Sequence, residues 1–338
     1  LKDVLVFSRN IFFGAGGAEK SIHGEILSDR SGKKFTLCGA NVPPAYAKNV
    51  AQIDYGQDVA KVVLPKTQSF PVFYFYEYLL NKKSVSKFIQ NINQDYDELW
   101  AQNLWAPLAI NSFEGDVTYF ARDEYFYNYF ATYQVGKKRY LKKVRALAER
   151  PGISAYIFDN SMAVQKSTTI VANSNFMAHR IWEVFGRDAV VRYPLIDAAG
   201  LKKRYLNAVA KSDALGKGVV MLGDSISKGV ETFFRLANDY PHVKFILFGR
   251  KCSQEYIVKN VHYMPWVDDV ALAYALAKVV IVPSVWEEAF GRVAAECEAI
   301  SIPCVVSNVG GLPEAVSHKS DQIAKNYPDF KLKVGRYV

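Results

Sequence analysis

Cysteine is scarce in this sequence: Cys38, Cys252, Cys297 and Cys304 are scattered through 338 residues. With no CxxC pair and no metal-ligand spacing, they exclude a disulfide scaffold and a cysteine-built metal site. Reduced thiols in a cytosolic protein are the simplest account. No apolar run approaches the roughly 18 residues of a membrane-spanning helix. No secretory leader is expected, since residues 1–7 read as a first strand, and the lack of an initiator Met suggests a trimmed or incompletely observed chain. Acidic residues are the charge in deficit, 33 against 42 Lys and Arg, giving a net charge of +9. That excess favours anionic partners without choosing among phosphorylated ligands, an anionic membrane surface and nucleic acid.

What is present reads as an α/β protein. A chain of 338 residues has two domains as its natural expectation. Strand-like runs at Leu1–Phe7, Tyr96–Ala101, Asp116–Ala121 and Thr168–Ala172 alternate with helical patterns. Ser174 is placed to cap a helix carrying Met177, Ile181, Trp182 and Phe185. The stretch Val191–Asp197 reads as a crossing, after which strands resume at Gly218–Leu222, Val243–Phe248, Val279–Val282 and Cys304–Val306. The expected architecture is two Rossmann-like parallel-sheet domains facing across a cleft, residues 1–193 and 194–325, with ligands beyond the carboxyl ends of the strands. Residues 326–338 read as a tail with no clear further strand–helix pair.

The densest chemistry lies in Pro283-Ser284-Val285-Trp286-Glu287-Glu288-Ala289-Phe290-Gly291-Arg292-Val293-Ala294-Ala295-Glu296. With Phe290 onward as helix, Phe290, Val293, Cys297 and Ile300 form an apolar stripe. Glu288 falls at the helix start and Glu296 about 10 Å further along the axis. The helix N-terminus between them is an anion seat. Carboxylates for sugar hydroxyls at both ends of a phosphate seat describe a clamp for a sugar nucleotide. The blander alternative is a solvated helix, with Glu288 complementing the macrodipole and Arg292–Glu296 an i,i+4 pair.

This segment resembles the Glu-x7-Glu signature of retaining GT-B glycosyltransferases, family 4 in particular. The resemblance implies that Glu288 contacts the transferred sugar and Glu296 the nucleotide ribose. It extends to Gly223-Asp224-Ser225-Ile226-Ser227-Lys228-Gly229, where the family has Gly-Arg followed by Lys-Gly on the donor diphosphate. Lys228 matches, Asp224 stands at the Arg position, and Arg250 and Arg292 are the candidate substitutes. Donor binding is thereby expected of Gly223, Lys228, Arg250, Ser284, Phe290, Gly291, Arg292 and Glu296. The loop beside the base would be Trp266 and Val267, and Gly310-Gly311-x-x-Glu314 would be the turn closing the site. Gly16 and Gly17 match the family's glycine-rich first loop. In Val117–Asp123, Arg122 occupies the position of the family's active-site His, so Arg122 and Asp123 join Glu288 as catalytic candidates. Arg122 is suited to an anionic acceptor, or to a structural pair with Asp123.

The resulting expectation is a cytoplasmic, metal-independent, retaining glycosyltransferase without a cofactor. It would move sugar from a nucleotide sugar to a saccharide or lipid-linked saccharide. Asp95-Tyr96-Asp97 has the form of a metal–nucleotide tripeptide but precedes a short strand, which favours a structural role. Residues 125–145 interleave aromatics with Lys138, Lys142 and Arg145 on one helix face, suited to peripheral contact with an anionic membrane or to a solvated basic face. The rival readings are an inactive donor-binding subunit or a membrane- or polysaccharide-binding partner, for which Asp224 and Arg122 argue, and a sugar-nucleotide epimerase, which the shortage of placed histidines disfavours. No recognisable motif supports a nucleic-acid binder.

Overall fold

The apolar run at the start of the chain becomes β1, Asp3–Phe7, whose Val4 to Phe7 are buried on both faces. Burial on both faces is what a parallel sheet covered by helices imposes. In a computed structural model, residues 2–13, 17–41, 55, 59–68, 73–123, 147–212 and 216–338 are described. The chain divides into two units, Leu1–Leu195 and Ile196–Val338.

In the first unit, β1 is followed by β2 (Lys34–Gly39), β3 (Ala60–Val63), β4 (Glu98–Gln102), β5 (Asp116–Ala121), β6 (Thr169–Ala172) and β7 (Val190–Val191). The sheet order is β3-β2-β1-β4-β5-β6-β7, and every pairing is parallel. The chain runs outward from β1 to β3 and returns on the other side at β4, so the topological switch point lies between β1 and β4. Among the described residues the helices are α1 (Gly17–Ser28), α2 (Tyr74–Ile92), α3 (Ala106–Ile110), α4 (Arg150–Lys166) and α5 (Asn175–Phe185). Ser174 does cap α5, accepting the Met177 N–H at 3.0 Å. Met177 and Ile181 are buried there, whereas Trp182 is 58% exposed. The crossing expected at Val191 begins later, because Val191 still pairs with β6. β4 starts at Glu98, since a 3-10 turn occupies Asn93–Asp95 and the Asp97 carboxylate accepts the Asp3 N–H at 2.9 Å. Asp97 thus ties a strand end.

The second unit contains β8 (Gly218–Leu222), β9 (Phe245–Gly249), β10 (Tyr256–Val258), β11 (Val261–Pro265), β12 (Ala277–Val282), β13 (Cys304–Ser307) and β14 (Ile323–Ala324). They are ordered β10-β11-β9-β8-β12-β13-β14. Only β10, hairpinned onto β11, runs antiparallel. Strand residues alternate between two apolar layers, as a period of two requires. Val220, Ile246, Phe248 and Val280 enter one layer, packed under α8 (Ala271–Ala275), α9 (Arg292–Ala299) and α10 (Leu312–Ala315) together with α6 (Ala198–Ser212). Val219, Met221, Phe245 and Ile281 enter the other, against α7 (Val230–Asp239) and α11 (Tyr327–Val334).

The end of the chain corrects the sequence reading. Residues 323–334 do form a strand–helix pair, β14 and α11. The Asn326 side chain caps α11 by accepting the Asp329 N–H at 3.0 Å, and Phe330 and Val334 are buried in the second unit's own core. The residues read as a patternless tail therefore carry a helix packed in the second unit's core. Two strand residues and a proline in the first turn leave too little pattern to read in advance.

Candidate functional site

In the second unit the first strand, β8, has β9 on one side and β12 on the other. Loops leaving the carboxyl ends of β8 and β12 therefore separate at a switch point, where α/β sheets place ligands. The two loops are locked together. Val285 N–H donates to the Ser227 carbonyl at 3.0 Å. Gly229, at φ 83°, sits so close that a Cβ there would collide with the Pro283 carbonyl. Only glycine meets both conditions.

This contact brings Lys228 to Glu288. The Lys228 ammonium donates to both Glu288 carboxylate oxygens, at 2.6 and 2.8 Å, and the buried Ser284 hydroxyl donates to Oε1 at 2.6 Å. Burial acts to raise the Glu288 pKa. The Lys228 charge and the hydrogen bonds from Lys228 and Ser284 together outweigh it and hold the carboxyl below its ordinary value. The Lys228 ammonium also lies over the Trp286 ring, 5.5 Å from its centroid. The lysine expected on a diphosphate is thus the counter-ion of the carboxylate expected on the sugar.

The helix begins two residues later than the stripe suggests, at Arg292, with Gly291 at φ 115° as N-cap and no side chain capping it. Phe290 and Glu296 are both buried. Arg292 Nε donates to Glu296 Oε1 at 2.8 Å, and the buried Tyr274 hydroxyl of α8 donates to Oε2 at 2.7 Å. Glu296 is therefore not the solvated half of a surface pair.

The Gly-Gly turn differs from expectation in what it approaches. Gly311 N–H donates to the Glu288 carbonyl at 2.7 Å, and a Cβ on Gly310, at φ 56°, would collide with that same carbonyl. These glycines set the backbone under Glu288. Gly223 closes β8 by donating its N–H to the Phe248 carbonyl at 2.8 Å. Asp224 accepts the Lys251 N–H at 3.2 Å. Exposed Arg250 covers the Trp266 ring at 4.8 Å, and Val267 packs against the first apolar layer.

The first unit gathers a second polar group at the carboxyl ends of β1, β4 and β5. Gly16 lies outside the described residues, as do residues 124–146 with the basic helix face at Lys138, Lys142 and Arg145. Gly17 opens α1, exposed. Two residues on, Glu19 is buried and accepts from Asn103 Nδ2 at 2.8 Å; Asn103, at φ 68°, also donates to the buried Ser8 hydroxyl at 3.1 Å. Burial pushes the Glu19 pKa up to about 7, with Asp123 adding to the rise and Asn103 and Arg122 opposing it. Arg122 Nη2 lies 3.2 Å from Glu25 Oε1, and Arg192 Nη1 lies 2.9 Å from Glu25 Oε2. Glu25 is therefore an ion-pair partner of Arg122 that the sequence did not suggest.

Residues 215–331 match the family model described as "Glycosyl transferases group 1". Among curated proteins the chain is similar to N-acetyl-alpha-D-glucosaminyl L-malate synthase of Bacillus anthracis, 21% identical over 74% of this chain and 69% of that protein. Among solved structures it is similar to sucrose-phosphate synthase of Thermosynechococcus elongatus, at a TM-score of 0.73, 16% identity, and coverage of 99% of this chain and 89% of the other. Anabaena HepE in complex with UDP and glucose is similar at a TM-score of 0.64 and 16% identity, over 99% and 89% of the two chains. The second unit thus matches a glycosyltransferase family model, and the chain as a whole has the GT-B fold of these neighbours.

Sequence reasoning did not single out Tyr274, Glu19, Asn103 or Glu25. Tyr274 sits in a five-residue helix amid alanines and carries no motif. A signal did exist for Glu19, which follows the glycine pair directly, but its carboxyl is distinguished only by burial. Among the described residues no group of three or more His, Cys, Asp or Glu is placed to hold a metal ion, and no helix is long and apolar enough to cross a membrane.

Proposed function

We propose that this glycosyltransferase holds a nucleotide sugar at the carboxyl ends of β8 and β12. It transfers the sugar, with retained anomeric configuration and without a metal ion, to a saccharide or lipid-linked saccharide. The observation that carries the reading is the Lys228–Glu288–Ser284 cluster at the switch point, with the α9 N-terminus and Glu296 directly behind it.

In this reading the donor diphosphate draws the Lys228 ammonium off Glu288, and Glu288 turns its oxygens to the sugar hydroxyls. The amides at the start of α9 and the Arg292 side chain share the phosphate charge. The bond from the anomeric carbon to the phosphate oxygen breaks and one to the acceptor oxygen forms. The acceptor proton leaves with the nucleoside diphosphate. Retention and metal independence follow from the resemblance to family 4. The similarity to HepE, which is described in complex with UDP and glucose, supports a nucleotide-sugar donor.

The test is calorimetric titration of UDP-, GDP-, dTDP- and ADP-glucose, with chelator present, into the wild type and Glu296→Ala. One donor should bind, and the variant should weaken it at least about tenfold, the loss of a hydrogen-bonded charged partner. Failure of all four to bind would remove this reading.

A further inference from the structure

The sheet of the second unit ends in a strand that is complementary to itself. The chain passes from β9 to its parallel neighbour β11 through residues 250–260, a crossover that usually carries a helix and here carries β10 instead. Among the described residues β10 pairs with β11 alone. Its side chains are apolar and exposed, Tyr256 at 47%, Ile257 at 57% and Val258 at 50%. An open apolar edge is a template for another strand. Aromatic surface continues beside it, since Tyr256 stacks on Tyr263 at 4.4 Å and Tyr263 meets the exposed Phe234 at 6.2 Å.

The backbone decides which residue can lie on a symmetry axis. Val258 faces Val261 across a two-residue turn, which makes these two a hydrogen-bonded pair. The ladder alternates, so Tyr256 and Val258 turn their N–H and C=O toward β11 and Ile257 turns both away. Two copies of β10 laid antiparallel, Ile257 opposite Ile257, exchange those two bonds. In that register the segment Glu255-Tyr256-Ile257-Val258-Lys259 matches itself. Each Glu255 faces Lys259 of the other copy, on the same face as the Ile257 pair, and each Tyr256 faces Val258 on the opposite face. Lys259, at φ 55°, lies in the turn, and its long side chain gives it reach. Opposite charges and aromatic–β-branched neighbours are both favourable cross-strand pairs. Edge charges commonly keep copies apart, as two like charges here would. One of each sign instead admits the antiparallel pair and rejects the parallel one, in which Glu would face Glu.

We propose that β10 is a self-association edge: two copies of this chain pair antiparallel along it, joining their second-unit sheets about a two-fold axis at Ile257. A strand of 3 residues makes a small contact, of the weak and transient class. Dimers should therefore form at about 10–100 μM chain.

The experiment is sedimentation velocity on the full chain from about 1 to 300 μM at low salt, where surface charges are least screened, with thermal melts as the folding control. The wild type should pass from monomer toward dimer across that range. Glu255→Lys sets like charges opposite each other and should weaken the dimer at least about tenfold. Glu255→Lys/Lys259→Glu restores opposite charges and should return the dissociation constant to within about threefold of the wild type. Both positions are exposed, so neither variant disturbs the core. Ile257→Pro removes an outward N–H that an edge strand can spare and should leave a monomer; should it not fold, the charge variants decide. A wild type that stays monomeric throughout overturns the proposal. So does a dimer that Glu255→Lys leaves intact, one that the double variant fails to restore, or one that survives in folded Ile257→Pro.

Discussion

Lys228 and Glu288 show how a single ion pair sets the charge state of a buried carboxylate. Glu288 has its folded pKa held down, so its contribution to stability is present above its unfolded value and is lost as pH falls through the folded one. Replacing Lys228 with Met leaves burial as the dominant influence and turns the sign round: the carboxyl is then raised, and its ionised form is a burden at neutral pH. Lys228→Met should lose about 1–3 kcal/mol at pH 7, and urea unfolding at pH 7 and pH 4 should show the gap to wild type closing in acid. Glu19 behaves oppositely. Its folded pKa of about 7 lies above the ordinary 4.5, so its stabilisation is full below 4.5 and lost as pH rises through 7. At ~1.4 kcal/mol per pKa unit this amounts to about 3 kcal/mol of pH-dependent stability. Glu19→Gln should flatten the stability curve between those limits, and a slope equal to that of the wild type would show that Glu19 is solvated.

At the scale of elements, the site depends on loops that only glycine lets approach. Gly229 and Gly186 both have positive φ, 83° and 63°, yet a Cβ on Gly186 meets nothing within 4 Å whereas one on Gly229 meets the Pro283 carbonyl. Gly186→Ala at the end of α5 should cost about 1–2 kcal/mol, the left-handed penalty alone. Gly229→Ala adds a backbone collision, so urea unfolding should show more than about 3 kcal/mol lost. Because the collision pushes the β8 and β12 loops apart, nucleotide affinity in Gly229→Ala should fall at least about tenfold. Equal costs at the two glycines would mean that the loops are not in contact. The same reasoning explains the pair after β13: Gly310 and Gly311 lie under the Glu288 backbone, so a turn associated with ligand closure works here by supporting the residue that would meet the ligand.

For the molecule as a whole, charge carries the prediction. A net charge of +9 creates a field that would draw in the anionic nucleotide-sugar donor proposed above. Raising salt from roughly 0.05 to 0.5 M should slow nucleotide association several-fold, as the Debye length contracts. Stopped-flow measurement should find dissociation changed less, because contacts between the bound diphosphate and Lys228 would be short-range and less screened by salt than the long-range field. An association rate indifferent to salt would show that the positive charge lies away from the site.

Much of this was legible along the chain. Short apolar runs such as Gly218–Leu222 and Asp116–Ala121 became strands with those bounds, because burial on both faces leaves no other use for them. Glu288 and Glu296 stood out by their spacing, and Lys228 and the Gly310-Gly311 pair by the resemblance to family 4. The α/β class and the glycosyltransferase resemblance came from the same local patterns. Which partner each side chain takes was not local. Lys228 reaches Glu288 across 60 residues, Tyr274 reaches Glu296 across 22, and Arg192 reaches Glu25 across 167. The strand pair β14 and helix α11 were invisible because two residues and a capped turn acquire their stability from packing on β13 and the core, not from their own sequence. Residue types and their periodicity determine which elements form and which chemistry is on offer. The crossing of the sheet at β8 and β12 decides which of those groups meet, since only tertiary packing brings charges together from distant segments and removes the water that would keep them apart.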